Sequence, residues 1–124
     1  MDSGSAIPPD WSPSGIVTLT TDFGLTDPYV GIMKGAILKE YAAARFVDLT
    51  HGVAPQDVRA AAWFLSKSWS WFPAGSVHLA VVDPGVGGER QILLAFHEGH
   101  AFLAPDNGLL QAFLPSSTLL WPLD

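Results

Sequence analysis

An α/β fold, a mostly parallel sheet with flanking helices that ends in an antiparallel hairpin, follows from three features of the sequence. Short β-branched apolar runs alternate with segments of helical periodicity, the order that buries a parallel sheet between helices. The last third switches to two apolar runs around a Glu98-Gly99 turn. With 124 residues, 48% of them hydrophobic and 15% charged, the chain has the core of one domain.

Met1 to Gly15 carries three Pro, two Asp and no basic residue. It lacks the positive end and apolar stretch of a signal peptide and reads as a flexible leader, residues 1–15, outside the fold. Ile16 to Thr21 (IVTLTT) is a buried strand that stops at Asp22. Asp27-Pro28 predicts a helix cap and first helical position. Val30, Met33, Ile37, Leu38 and Tyr41 follow at helical spacing. Phe46-Val47 predicts a short second strand stopping at Asp48. Pro55 opens a second helix with Val58, Ala61, Ala62 and Leu65 on one face, broken by Pro73-Ala74-Gly75. Val77 to Val82 is a third strand, ending at Asp83. Ile92 to Phe96 and Ala101 to Ala104 form the hairpin, Leu109 to Leu114 a short helix at best, and Thr118 to Trp121 a last strand.

Composition excludes several function classes. Six Lys plus Arg against twelve Asp plus Glu, a net charge of −6, is a poor supply for phosphate contacts, so no nucleic-acid partner is expected. No run of about 18 apolar residues exists, so no membrane span is expected. There is no Cys, which fits a reducing, cytoplasmic compartment.

Three strands end in aspartates: Asp22, Asp48 and Asp83. Carboxylates at the carboxyl edge of a parallel sheet line the crevice where ligands bind, and can hold a ribose diol, a metal or a water. Each taken alone also fits ordinary turn and cap chemistry. The segment Asp83-Pro84-Gly85-Val86-Gly87-Gly88-Glu89-Arg90 matches neither the dinucleotide fingerprint nor the phosphate loop. It offers a carboxylate and a guanidinium joined by a glycine loop that can fold back. Arg90 beside Asp83 would fix that carboxylate's orientation and favour its charged form; a plain surface ion pair is the competing reading. His97-Glu98-Gly99-His100 departs from the helical zinc motif and reads as an exposed turn, so no metal is expected. His51 reads as a loop residue in polar contact with backbone. Trp63, Trp69 and Trp71 read as core or interface packing.

At these motifs the chain resembles the S-adenosyl-L-methionine (SAM) hydroxide adenosyltransferases, relatives of the fluorinase and chlorinase. Thr20-Thr21-Asp22-Phe23-Gly24-Leu25-Thr26-Asp27-Pro28-Tyr29-Val30-Gly31 is similar to the first signature of that family. Asp48-Leu49-Thr50-His51 with Gln56-Asp57-Val58 is similar to the second. Val82-Asp83-Pro84-Gly85-Val86-Gly87 with Glu89-Arg90 is similar to the third, and Ala104-Pro105-Asp106-Asn107-Gly108-Leu109-Leu110 to the fourth. The four blocks come in the family's order between about Ile16 and Leu114.

The resemblance implies an enzyme that attacks C5′ of SAM with water and releases adenosine and L-methionine, with no cofactor beyond that substrate. It implies an α/β N-terminal domain, here residues 16–124. A C-terminal β-barrel would follow in the family, and the chain stops before it, so it is expected to be truncated. It implies a homo-oligomer, a trimer in the family, with sites shared between the N-terminal domain of one subunit and the C-terminal domain of the next. By position Asp22 matches the substrate-binding aspartate on the ribose hydroxyls, and Asp27 one near the methionine end. Asp83 and Arg90 match two members of the Asp-Arg-His group assigned to water, whose His would lie beyond Asp124. A competing reading is a truncated, non-catalytic module that binds adenosine or SAM or assembles with partner chains. A phosphoacceptor domain is excluded: Asp22 is followed by Phe23 rather than a second acid, and no late Lys exists.

Overall fold

The computed structural model describes residues 7–83 and 90–123. Its elements are β1 (Ile16–Thr21), α1 (Tyr29–Glu40), β2 (Arg45–Thr50), α2 (Val58–Ser68), β3 (Val77–Val81), β4 (Ile92–His97), β5 (His100–Pro105) and β6 (Trp121–Leu123), with one 3-10 turn at Trp69–Trp71. They form one six-stranded sheet in the order β2-β1-β3-β5-β4-β6. β1 pairs in parallel with β2 and β3, and β3 in parallel with β5; β4 runs antiparallel to both β5 and β6. The expected α/β class and its closing hairpin are therefore present. Among the described residues no helix is long and apolar enough to cross a membrane.

The two helices lie on opposite faces, as the registers show. Val17 pairs with Phe46 and Leu19 with Asp48, and Lys34 of α1 reaches both Phe46 and Asp48. Residues of the opposite parity, Ala80, Phe102 and Ala104, pack instead with Ala61, Ala62 and Leu65 of α2. That α2 face is the one the helical spacing predicts. Asp57 caps the helix by accepting from Ala60 N at 3.0 Å, so α2 starts at Val58 rather than at Pro55. α1 departs from its expected apolar stripe: only Val30 is buried, while Leu38 and Tyr41 are exposed. It covers only the β2-β1 margin, which offers little surface to bury against.

Several boundaries also move. β2 extends from Arg45 to Thr50 because ladder bonds to β1 recruit polar residues that a hydropathy reading leaves in loops. Residues Leu109 to Leu114 make turns closed by Ala112 N to Gly108 O and Leu114 N to Leu110 O, not a regular helix. The last strand lies at Trp121–Leu123, paired with β4. In the hairpin, Glu98 (φ 49°) and Gly99 (φ 82°) form the two-residue, positive-φ turn that suits the twist of paired strands. Of residues 1–15, expected as a flexible leader, 1–6 lie outside the described residues; within 7–15 the Trp11 indole donates to Gly99 O at 2.8 Å and its ring meets Phe96 edge-on. Composition hides this, since one tryptophan, two backbone bonds (Ser14 N to Gly75 O and Arg45 N to Gly15 O) and the Arg45 guanidinium on Ser14 O tether a polar segment.

Candidate functional site

The order β2-β1-β3 has a topological consequence. The chain leaves β1 to build β2 on one side, then returns to build β3 on the other. In open α/β sheets such a switch point opens a crevice beyond the carboxyl ends of the two strands. β1 ends at Thr21 level with Val81 of β3, so Asp22 and Asp83 emerge on either side of that crevice. β5, parallel to β3, brings Asp106 and Asn107 to the same edge.

Asp22 Oδ2 accepts from Gln56 N at 2.8 Å. Gln56 holds φ at 65°, a left-handed conformation costly for a residue with a side chain, and its N–H is thereby aimed at the carboxylate. A carboxylate offers about four lone-pair directions, so this single bond leaves acceptor capacity for two hydroxyls.

Asp83 and Arg90 are brought together. Arg90 Nε donates to Asp83 Oδ1 at 2.9 Å, with the Asp83 side chain 13% and the Arg90 side chain 35% exposed. Arg90 also donates from a terminal nitrogen to Asp106 O at 3.1 Å. One guanidinium thus joins the end of β3 to the end of β5. The glycine loop expected to bring the pair together, residues 84–89, lies outside the described residues.

The third strand-end aspartate is not at the crevice. Asp48 pairs with Leu19, three residues short of Asp22, and turns to Lys34 Nζ at 3.0 Å and His51 Nε2 at 2.8 Å. Partial burial raises its carboxyl pKa, but the hydrogen bonds and charges of His51 and Lys34 outweigh that and leave it below the usual value. Asp27 is exposed and accepts from Tyr29 N at 3.1 Å, supporting the start of α1 from one position earlier than an N-cap; Pro28 is the N-cap.

These features match known proteins. Residues 17–122 match the SAM hydroxide adenosyltransferase N-terminal domain. The chain belongs to the SAM hydroxide adenosyltransferase family. It is 42% identical over 108 residues to the (R)-S-adenosyl-L-methionine hydrolase of Thermus thermophilus, covering 87% of this chain and 39% of that one. It is 44% identical over 99 residues to the protein of the same name from Methanocaldococcus jannaschii, covering 76% and 37%. A fluorinase from an Actinoplanes species is 25% identical over 118 residues, covering 77% and 40%. The solved structure of a conserved Thermotoga maritima protein superposes with a TM-score of 0.71 at 41% identity, over 77% of this chain and 36% of that one. The chain spans about two-fifths of the length of the curated relatives it matches.

The described residues of the four blocks in this adenosyltransferase-family chain follow the ends of β1, β2, β3 and β5 at one edge of the sheet. Two of its features were not legible in the sequence. Asn107 donates from Nδ2 to Val82 O at 2.7 Å and accepts from Leu109 N at 3.1 Å, pinning the β5 turn against the residue before Asp83. His51 is buried and its ring bonds side chains, Thr21 and Asp48, not backbone. Thr21 and Val82 lie 30 and 25 positions away from His51 and Asn107, so no local signal reveals those two contacts.

The His97-to-His100 motif divides between environments. His97 Nε2 meets Glu98 at 3.3 Å, whereas His100 is buried against the rings of Trp69 and His78, correcting the expectation of an exposed turn for that residue. No group of three or more His, Asp or Glu suited to a metal ion occurs among the described residues. Trp69 packs on the core as expected; Trp63 and Trp71, at 59% and 85% exposure, do not.

Proposed function

We propose that this chain is the nucleoside-binding, water-positioning part of a SAM hydrolase, releasing adenosine and L-methionine. The observation that carries the reading is the 2.9 Å Asp83–Arg90 pair at the switch point beside Asp22. The names of the Thermus and Methanocaldococcus relatives support it.

In this reading Asp22 accepts the two ribose hydroxyls and holds C5′ over the crevice. Asp27, at the opening of α1, faces the methionine end. The sulfonium is already a good leaving group, so the site supplies chiefly a positioned, desolvated nucleophile in line with the C5′–S bond. Asp83, oriented by Arg90, accepts a hydrogen bond from water and takes its proton. The water oxygen bonds to C5′ as the C5′–S pair withdraws to sulfur, leaving neutral methionine thioether and adenosine. No further cofactor enters this scheme. The same carboxylate disfavours halide: two like charges 4 Å apart cost about 4 kcal/mol at an effective dielectric of 20, roughly a thousandfold in rate.

The active form in this reading is a cytoplasmic homo-oligomer, a trimer by family resemblance, in which another subunit's C-terminal region completes the site. Exposed Tyr29 and Ile32 on α1 support an assembly that covers them. The test is product analysis with SAM, using this chain alone and fused to the remaining length of the Thermus hydrolase. Equimolar adenosine and methionine from the fusion is the expected result. Adenosine binding without turnover in the fusion would favour the non-catalytic module instead.

A further inference from the structure

We infer that His51 is a positioning residue: locked by Asp48, it grips Thr21 and so sets the backbone on both sides of Asp22. The inference rests on the reading of Asp22 as the nucleoside anchor.

The argument begins with proton placement. The Asp48 carboxylate is acceptor-only, so the 2.8 Å contact to His51 Nε2 requires Nε2 to carry the hydrogen. In the neutral imidazole Nδ1 is then an acceptor, and its partner at 2.7 Å, Thr21 Oγ1, donates. With its hydrogen committed to His51, that hydroxyl turns a lone pair to Phe23 N at 3.2 Å. Donation therefore runs from Phe23 N to Thr21 to His51 to Asp48, and Lys34 donates to the other oxygen of the same carboxylate, so each group fixes the next.

Backbone bonds close the grip. Gly24 N donates to His51 O at 2.8 Å, and Val53 N to Thr21 O at 3.3 Å. Residues immediately before and after Asp22 are thus tied, directly or through Thr21, to the turn that follows β2. The same turn carries Gln56, whose N–H meets the Asp22 carboxylate. His51 is only 6% exposed and Thr21 is fully buried, so water does not readily substitute for a lost partner.

The 15N-labelled chain of 124 residues tests this. Long-range nitrogen–proton correlation should show His51 as the Nε2–H tautomer. Thr21→Val keeps the β-branched shape and removes the hydroxyl. It should fold, with a dispersed amide spectrum, yet exchange the Phe23 and Gly24 amides faster and bind adenosine about tenfold to a hundredfold more weakly, as a lost buried hydrogen bond converts to affinity. His51→Gln, which retains a donor and an acceptor, should keep more affinity than His51→Leu. Wild-type exchange rates and wild-type affinity in Thr21→Val would overturn the inference. If the wild-type chain does not bind adenosine, the nucleoside reading of Asp22 fails, and amide exchange in Thr21→Val still decides whether the grip exists.

Discussion

Arg90 and Asp83 stand seven positions apart in the chain and 2.9 Å apart in space, joined through Nε and Oδ1. Surface ion pairs usually contribute at most about 1 kcal/mol, so stability alone is a weak reason for this one. Its place at the switch point, with Arg90 also holding Asp106 O, makes it a device for orientation. In a form that hydrolyses SAM, Asp83→Asn keeps shape and removes the charge. Turnover is expected to fall by ~10²–10⁴, the usual cost of losing a general base, with SAM affinity nearly unchanged. Adenosine release at the wild-type rate would leave Asp83 a turn residue. Chloride added to the variant should bind where the charge had excluded it.

Asp22 is best probed by Asp22→Asn rather than by alanine. The amide oxygen still accepts the Gln56 N–H that holds the strained φ of 65°, so the loop survives. Only charge-assisted acceptance is lost, at about 1.5–3 kcal/mol per bond to a charged group. Adenosine affinity, read by isothermal titration, should drop by about tenfold or more per hydroxyl. An unchanged isotherm would remove Asp22 from the binding site.

Acid stability should be governed by the buried histidines. His78 bonds Thr18 Oγ1 at 2.7 Å and His100 Nδ1 at 3.0 Å. Burial, with the neighbouring His100 charge, pushes its pKa down to about 4. The folded state therefore binds its proton less readily than the unfolded chain, whose His titrates near 6.5. Stability is full above pH about 6.5 and falls as pH drops from there to about 4, below which this group adds no further loss. The shift corresponds to about 3 kcal/mol. His100 moves in the same direction, through burial first. Urea unfolding across this window should show the slope, and His78→Leu should flatten it; an unchanged slope would assign the acid sensitivity elsewhere.

Thr20 presents the opposite case. Its hydroxyl is buried with no hydrogen-bond partner among the described residues, a desolvation cost of about 1–3 kcal/mol. Thr20→Val removes the hydroxyl and keeps the branched shape, so the denaturation midpoint should rise. A fall would show that the hydroxyl has a partner in solution.

What the sequence by itself determined is the part governed by local periodicity and punctuation. The strand cores Ile16–Thr21 and Val77–Val81, the buried face of α2 and the Glu98-Gly99 turn are all legible, because apolar spacing and turn chemistry act over a few residues. The pairing of Asp83 with Arg90 was legible as well, since a short segment constrains both ends. Tertiary structure alone decided which strand ends are neighbours. The order β2-β1-β3 puts Asp22 and Asp83 at one crevice and withdraws Asp48 to His51. It also decided the partners of His51, His78 and Asn107, each bonded to a side chain or carbonyl on another element. Such contacts follow from strand register and helix placement, which global packing sets. No local propensity encodes them.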